Sequence, residues 1–210
     1  MTFKRTEGTT TVGLVCKDGV ILATEKRAMA GYLIASKRAK KIYEIDAHLG
    51  ATIAGAVGDS QALVRIIEAN ARLYKYEHGI PILVEAVANL ASNILFNQRW
   101  FPFITELIIG GIDQTGYRLF FLDPIGGLLE DEMISTGSGS PIAYGVLEDQ
   151  FKEAMSVDDG VNLTIRALRA AMERDAASGN GIEVAIITKE VGFKLLPQKD
   201  VEEQLKKIKG

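Results

Sequence analysis

The chain has 210 residues, 47% of them apolar, which suits one compact domain with a sizeable core. Its 24 basic and 27 acidic side chains give a net charge of −3, so composition excludes a basic surface for nucleic acid or an acidic membrane. A single cysteine excludes an intramolecular disulfide framework and suits a reducing compartment; no apolar run reaches membrane-spanning length and MTFKRTEG is too short and polar for a secretory signal, so a cytoplasmic location away from membranes is expected.

The first element follows at once. TTTVGLVC and VILATEKR are strand-like runs joined by KDG, a hairpin signal. Cys16 sits in this apolar pattern and is expected to be packed rather than reactive. GYLIASK, KKIYEI and GATIAGAVG are further strand candidates, so the opening third reads as an antiparallel meander. The period then changes. Leu63, Ile66, Ile67, Asn70, Leu73 and Tyr74 recur at three- and four-residue spacing, which predicts an amphipathic helix capped by Asp59 or Ser60 and stopped by Gly79. Pro81 is expected to open a second helix, PILVEAVANLASNILFNQR, antiparallel to the first. An aromatic, Pro-interrupted segment around Trp100–Phe103 follows, with no role assigned.

Strands return as TELIIGGID and YRLFFLDP, joined by QTG, and GGLLEDEMISTGSGS continues them into a loop of small residues. Two helices come next, PIAYGVLEDQFK and VDDGVNLTIRALRAAMERDAA, the second with Ser156 and Asp159 approximating a capping box. IEVAIITK and GFKLLP form a last hairpin before a charged amphipathic tail. Strand blocks alternating with helix pairs argue for an α+β fold in layers, with two mostly antiparallel sheets packed together and helix pairs outside.

The chemistry is less obvious. His48 and His78 stand far apart with no metal-ligand spacing near them, so no metal or other cofactor is expected. There is no G-x-S-x-G elbow and no S-x-x-K motif. GTTT, near the start, reads first as the beginning of a strand, because threonine is β-branched. A second reading stands beside it. If the Gly8–Thr9 bond is cut, Thr9 gains an α-amine with a reference pKa of about 7.7–8.0, a base carried on the same residue as the hydroxyl. Gly8, without a Cβ, would give that hydroxyl access to its own upstream carbonyl.

TTTVGL, ATEKR, KKIY, IAGAVGD, STGSGSP and RDAASG occur in that order. Together, behind a short leader ending in glycine, they resemble the catalytic β-subunits of the 20S proteasome, most closely the archaeal type, from Thr9 to about Pro197. The resemblance implies a four-layer αββα sandwich of the N-terminal-nucleophile hydrolase class. It implies a propeptide over residues 1–8, removed by autocatalysis at Gly8 and Thr9, and one hydrolase domain over residues 9–210. It implies a threonine endopeptidase: Thr9 as nucleophile, Lys41 as the active-site lysine, Glu25 as its acidic partner, Asp175 orienting the threonine amine, Ser138 and Ser178 completing that network, and the Gly55 N–H as oxyanion donor. Ala28, Ala39, Ile53 and Val57 are implied as the pocket for the residue before the cut, and all four are apolar, so hydrophobic residues should be preferred there. The partners implied are α-subunits and other β-subunits in stacked seven-membered rings, an ATPase regulatory cap, and unfolded protein substrates.

Three other readings compete with this one. A non-catalytic ring subunit would usually have lost the threonine or the lysine. The bacterial ring protease with the same mechanism lacks the extended C-terminal region. A phosphate-binding module would need G-x-G-x-x-G or G-x-x-x-x-G-K-[ST], and neither IIGGID nor GSGS fits. Whether this chain matures alone or only beside a second β-subunit is left open.

Overall fold

The computed structural model of the protein describes residues 8–209; the leader expected over residues 1–8 lies outside the described residues except for Gly8. Two five-stranded antiparallel sheets stack between helices. In the first, β1 (Thr11–Cys16), β2 (Gly19–Glu25), β10 (Met133–Thr136), β11 (Ile182–Thr188) and β12 (Gly192–Leu195) lie in the order β10-β1-β2-β11-β12. In the second, β5 (Ile42–Asp46), β6 (Leu49–Gly55), β7 (Thr105–Asp113), β8 (Gly116–Leu122) and β9 (Leu128–Glu130) follow one another in chain order. A two-stranded ribbon, β3 (Ala28–Ala30) with β4 (Leu33–Ser36), stands apart with Tyr32 and Leu33 exposed.

The two-residue period of the strands builds three apolar layers. Along β2, Ile21 and Ala23 face the helices while Val20 and Leu22 face the other sheet. Along β7, Leu107 and Ile109 point to one helix pair and Ile108 to the space between sheets. Helices α1 (Val57–His78) and α2 (Val84–Asn97) cover the second sheet with Leu63, Ile67, Val87 and Leu95. Helices α3 (Ser140–Gln150) and α4 (Val157–Arg174) cover the first with Leu147, Ile165 and Leu168, and α5 (Gln198–Lys209) adds Val201. The result is the four-layer αββα sandwich that the resemblance implied.

Several local expectations need correction. The opening meander is divided between both sheets and the ribbon, because β1–β2 and β5–β6 pair internally and then join different later strands. Helix α1 starts at least three residues early: Ala56 is its N-cap and no side chain caps it. Asp59 instead accepts from the Ile104 N–H at 2.9 Å, and Ser60 bonds the Ala56 carbonyl at 2.8 Å. Pro81 lies before α2 rather than opening it; the Val84 N–H donates to Asp113 at 2.8 Å. Thr10 stands before β1, not in it. The expected stop at Gly79 (φ 71°) and the Ser156 cap of α4 are as read from the sequence. In the aromatic segment, Phe103 packs on the helix-covered core, while Trp100 and Phe101 are exposed.

Candidate active site

The site forms where strand ends from both sheets meet the start of the described chain. Thr9 is two residues before β1, Glu25 ends β2, and Lys41 sits just before β5. The Lys41 carbonyl accepts from the Ile53 N–H at 3.0 Å, which ties its backbone to β6. Its side chain then crosses to the other sheet, where Nζ donates to Thr9 Oγ1 at 3.0 Å and pairs with Glu25 Oε1. All three side chains are buried.

A buried cation needs a satisfied counter-ion, since an uncompensated charge in an apolar interior is expensive. Glu25 is satisfied on both oxygens. Besides Lys41, Oε1 receives the Thr10 N–H at 3.3 Å, and Oε2 receives the N–H groups of Arg27 at 2.6 Å and Gly179 at 2.9 Å. Burial pushes the Lys41 ammonium below the ordinary lysine range; Glu25 and then Asp175 oppose that shift, and Arg27 adds to it. An ammonium so placed favours negative charge on the Thr9 oxygen.

The nitrogen of Thr9 is held by a second cluster. Its N–H donates to Ser138 Oγ at 3.2 Å, and Ser138 donates to Asp175 Oδ2 at 2.6 Å. Ser178 donates to the same oxygen at 2.6 Å. Asp175 thus reaches the Thr9 nitrogen through Ser138. It terminates α4, where the helix dipole disfavours a carboxylate, and two hydroxyls and the Ala177 N–H compensate.

Thr9 Oγ1 donates to the Gly8 carbonyl oxygen at 2.7 Å. The hydroxyl is therefore turned to the bond that precedes it. Gly8 is required here by space: a Cβ on it would run into the Ala177 methyl and lie 2.7 Å from Ser138 Oγ. Gly8 and Thr9 open onto a cleft of about 290 Å³ that Ala28, Ala39, Ile53, Gly55 and Val57 also line. The four apolar residues named from the sequence are thus brought together beside Thr9. Met29 and Lys40 join them, so the cleft carries a cation at its rim that the sequence reading left out. Gly55 has φ +125°, and a Cβ there would lie 3.0 Å from the Thr105 Cα. Both facts exclude a side chain and leave the backbone at the cleft wall.

Arg27 was missed. Its guanidinium donates to the Ala176 carbonyl at 2.5 Å and to Asn180 at 2.8 Å, clamping the loop that carries Asp175 and Ser178. Its sequence signal is its place as the last residue of ATEKR, two residues after Glu25. Thr11 suits a strand by propensity, and its hydroxyl also links Thr136 at 2.7 Å and Thr52 of the opposite sheet at 3.2 Å. No cluster of His, Cys, Asp or Glu able to hold a metal ion occurs among the described residues.

The family model described as Proteasome subunit matches residues 6–187. The chain belongs to the proteasome subunit family. Similar proteins are named "Proteasome subunit beta". One from Methanothermobacter thermautotrophicus is 49% identical over 96% of both chains. One from Methanocaldococcus vulcanius is 57% identical over 95% of this chain and 90% of its own. One from Methanocaldococcus jannaschii is 54% identical, with 97% and 92% covered. Within the proteasome subunit family this chain is of the β type, a threonine endopeptidase of the core that works in assembly with other subunits.

Proposed function

We propose that Thr9 is the nucleophile of this endopeptidase and that it is released by autocatalytic loss of residues 1–8. The observation that carries this is the position of Thr9 Oγ1, 3.0 Å from the Lys41 ammonium and 2.7 Å from the Gly8 carbonyl oxygen. In the first stage the hydroxyl oxygen attacks the Gly8 carbonyl carbon. The Gly8–Thr9 C–N bond breaks, the nitrogen takes up the proton, and Gly8 is held on Thr9 Oγ as an ester. Water cleaves that ester, leaving a Gly8 carboxylate and a Thr9 with free hydroxyl and amine. Holding the groups in contact makes the step intramolecular, a large rate advantage.

The same constellation then acts on substrates. The Thr9 amine takes the hydroxyl proton and passes it to the leaving amine, Lys41 stabilises the developing alkoxide, and Gly55 N–H binds the oxyanion. Ser138, Ser178 and Asp175 hold the amine in place. Water bound at the amine releases the acyl-enzyme. The cleft of Ala28, Ala39, Ile53 and Val57 takes the residue before the cut and favours hydrophobic side chains.

The chain works in stacked seven-membered rings with α-subunits and other β-subunits, fed with unfolded protein through an ATPase cap, in the cytoplasm. The helix pairs, with exposed Trp100 and Phe101, supply contact surfaces for ring neighbours. Consistent with this location, no helix among the described residues is long and apolar enough to cross a membrane. The test is intact mass, N-terminal sequencing and electrophilic-peptide labelling after co-assembly with an α-subunit. Loss of residues 1–8 with label on Thr9 is expected, and Thr9→Ala should block both processing and peptidase activity. A particle that keeps Met1 and takes no label would overturn the reading.

A further inference from the structure

The two clusters that hold Thr9 are joined by one side chain to which neither the mechanism nor the resemblance gives a role. Thr10 Oγ1 lies 2.7 Å from Ser178 Oγ, and both residues are fully buried. The direction of this bond is determined. Ser178 has one hydroxyl hydrogen and gives it to Asp175 Oδ2 at 2.6 Å, and a carboxylate only accepts. Thr10 must therefore be the donor to Ser178. On its backbone side the same residue gives its N–H to Glu25 Oε1, and its carbonyl accepts from the Glu25 N–H and the Thr24 hydroxyl, each at 3.3 Å. Thr10 is thus fixed on three backbone and neighbour contacts, and its hydroxyl is aimed by them. The opposite wall is Gly139, where a Cβ would run into Thr10 Oγ1 and lie 3.2 Å from Asp175 Oδ2.

We propose that Thr10 is a positioning residue for the reaction, coupling the Glu25–Lys41 pair that serves the nucleophile's oxygen to the Asp175–Ser178–Ser138 cluster that serves its nitrogen. The closed circuit runs from Thr9 Oγ1 through Lys41, Glu25, Thr10, Ser178, Asp175 and Ser138 back to Thr9 N. By donating to Ser178, Thr10 commits the single Ser178 hydrogen to Asp175, and so keeps that carboxylate where Ser138 meets it. No Thr10 atom reaches the substrate cleft, so its loss acts on turnover rather than on substrate binding. The inference rests on the reading of Thr9 as the nucleophile.

The test compares Thr10→Val, which keeps the shape and removes the hydroxyl, with Thr10→Ser, which keeps the hydroxyl. Both are assembled with α-subunits, titrated at Thr9 with an electrophilic peptide, and assayed on a hydrophobic peptide substrate. Per labelled site, kcat for Thr10→Val should fall about tenfold with KM within twofold, as for loss of one buried hydrogen bond to a network around a charged group. Thr10→Ser should recover most of the lost turnover. Ser178→Ala and the double variant with Thr10→Val should lose about as much as one single variant, because both break the same link. Unchanged kcat in Thr10→Val, or Thr10→Ser as impaired as Thr10→Val, overturns the proposal. If Thr10→Val does not assemble, Thr10→Ala takes its place under the same rule. Absence of label on Thr9 in the parent particle defeats the nucleophile assignment instead, which separates the two failures.

Discussion

Lys41 is the residue whose ionisation the fold disturbs most consequentially. Its folded pKa lies below 10.5, chiefly through burial. Between the folded value and 10.5 the native chain binds fewer protons than the unfolded one, so this group's contribution to stability rises with pH. That contribution is full above 10.5 and is lost as pH falls through the folded value. Activity should move the opposite way, since on the proposed mechanism the ammonium steadies the Thr9 oxygen. The expected outcome is an alkaline fall in kcat/KM with its midpoint below 10.5, absent from any stability curve of the same particle. Glu25→Gln removes the counter-ion of this buried cation; a loss of about 3–5 kcal/mol of stability is expected from such a break, read by denaturant titration, together with at least a hundredfold loss of peptidase activity. At Gly8 the constraint is steric. Gly8→Ala should slow processing by about a hundredfold, because a misplaced reacting group forfeits its intramolecular advantage. Time-resolved mass spectrometry of assembled particles would measure it, and particles that have finally lost residue 8 should turn over like the parent.

Among the elements, α4 bears most on the site, because its C-terminus presents Asp175. Its other end is held by Ser156, whose Oγ accepts from the Asp159 N–H at 3.2 Å, and by Asp18, which accepts from the Val157 N–H at 2.8 Å. Ser156→Ala should cost about 1 kcal/mol, as other N-cap losses do, seen as a lower denaturation midpoint with kcat unchanged. The unchanged kcat is expected because the C-terminal end of α4 is fixed independently, by Arg27 and by the Ser138 and Ser178 hydroxyls. β6 plays the matching part on the second sheet. It carries Ile53 and Gly55 to the cleft, and Thr52 on the same strand bonds Thr11 across the sheet interface at 3.2 Å. That cross-sheet bond holds the strand that follows Thr9 against the strand that carries Gly55 to the cleft.

For the whole molecule, the αββα layering puts apolar side chains into three separate cores, one between the sheets and one under each helix layer. Cys16 reports on one of them. It lies under α4 with its thiol pushed up to about 12, by burial first and then by Asp18 and Asp159. An alkylating reagent near neutral pH should therefore label Cys16 only when that layer unfolds, and the labelling rate should track the denaturation curve. Label in the native particle at the rate of a free thiol would contradict the packing described.

Much of this was readable in one dimension. The period of Leu63, Ile67 and Tyr74 against that of Val20 and Leu22 sets helix and strand by local geometry alone, and the spaced motifs around Thr9, Glu25, Lys41 and Asp175 pointed, through their resemblance to a family, to side chains that the fold brings together. Three-dimensional packing decided the rest. Which sheet each hairpin joins depends on long-range pairing, which no local pattern encodes, and so the meander divides. Ala56 caps α1 because Asp59 and Ser60 are drawn to Ile104 and Thr105, partners more than forty residues away. The hydroxyls of Thr10 and Thr11 looked like strand chemistry, because a β-branched residue at a strand start satisfies propensity whether or not its oxygen has a partner. Only the approach of Ser178, Thr52 and Thr136 shows that those oxygens are bonded, and the reason is burial: a hydroxyl removed from water must find a partner, and the fold chooses which one.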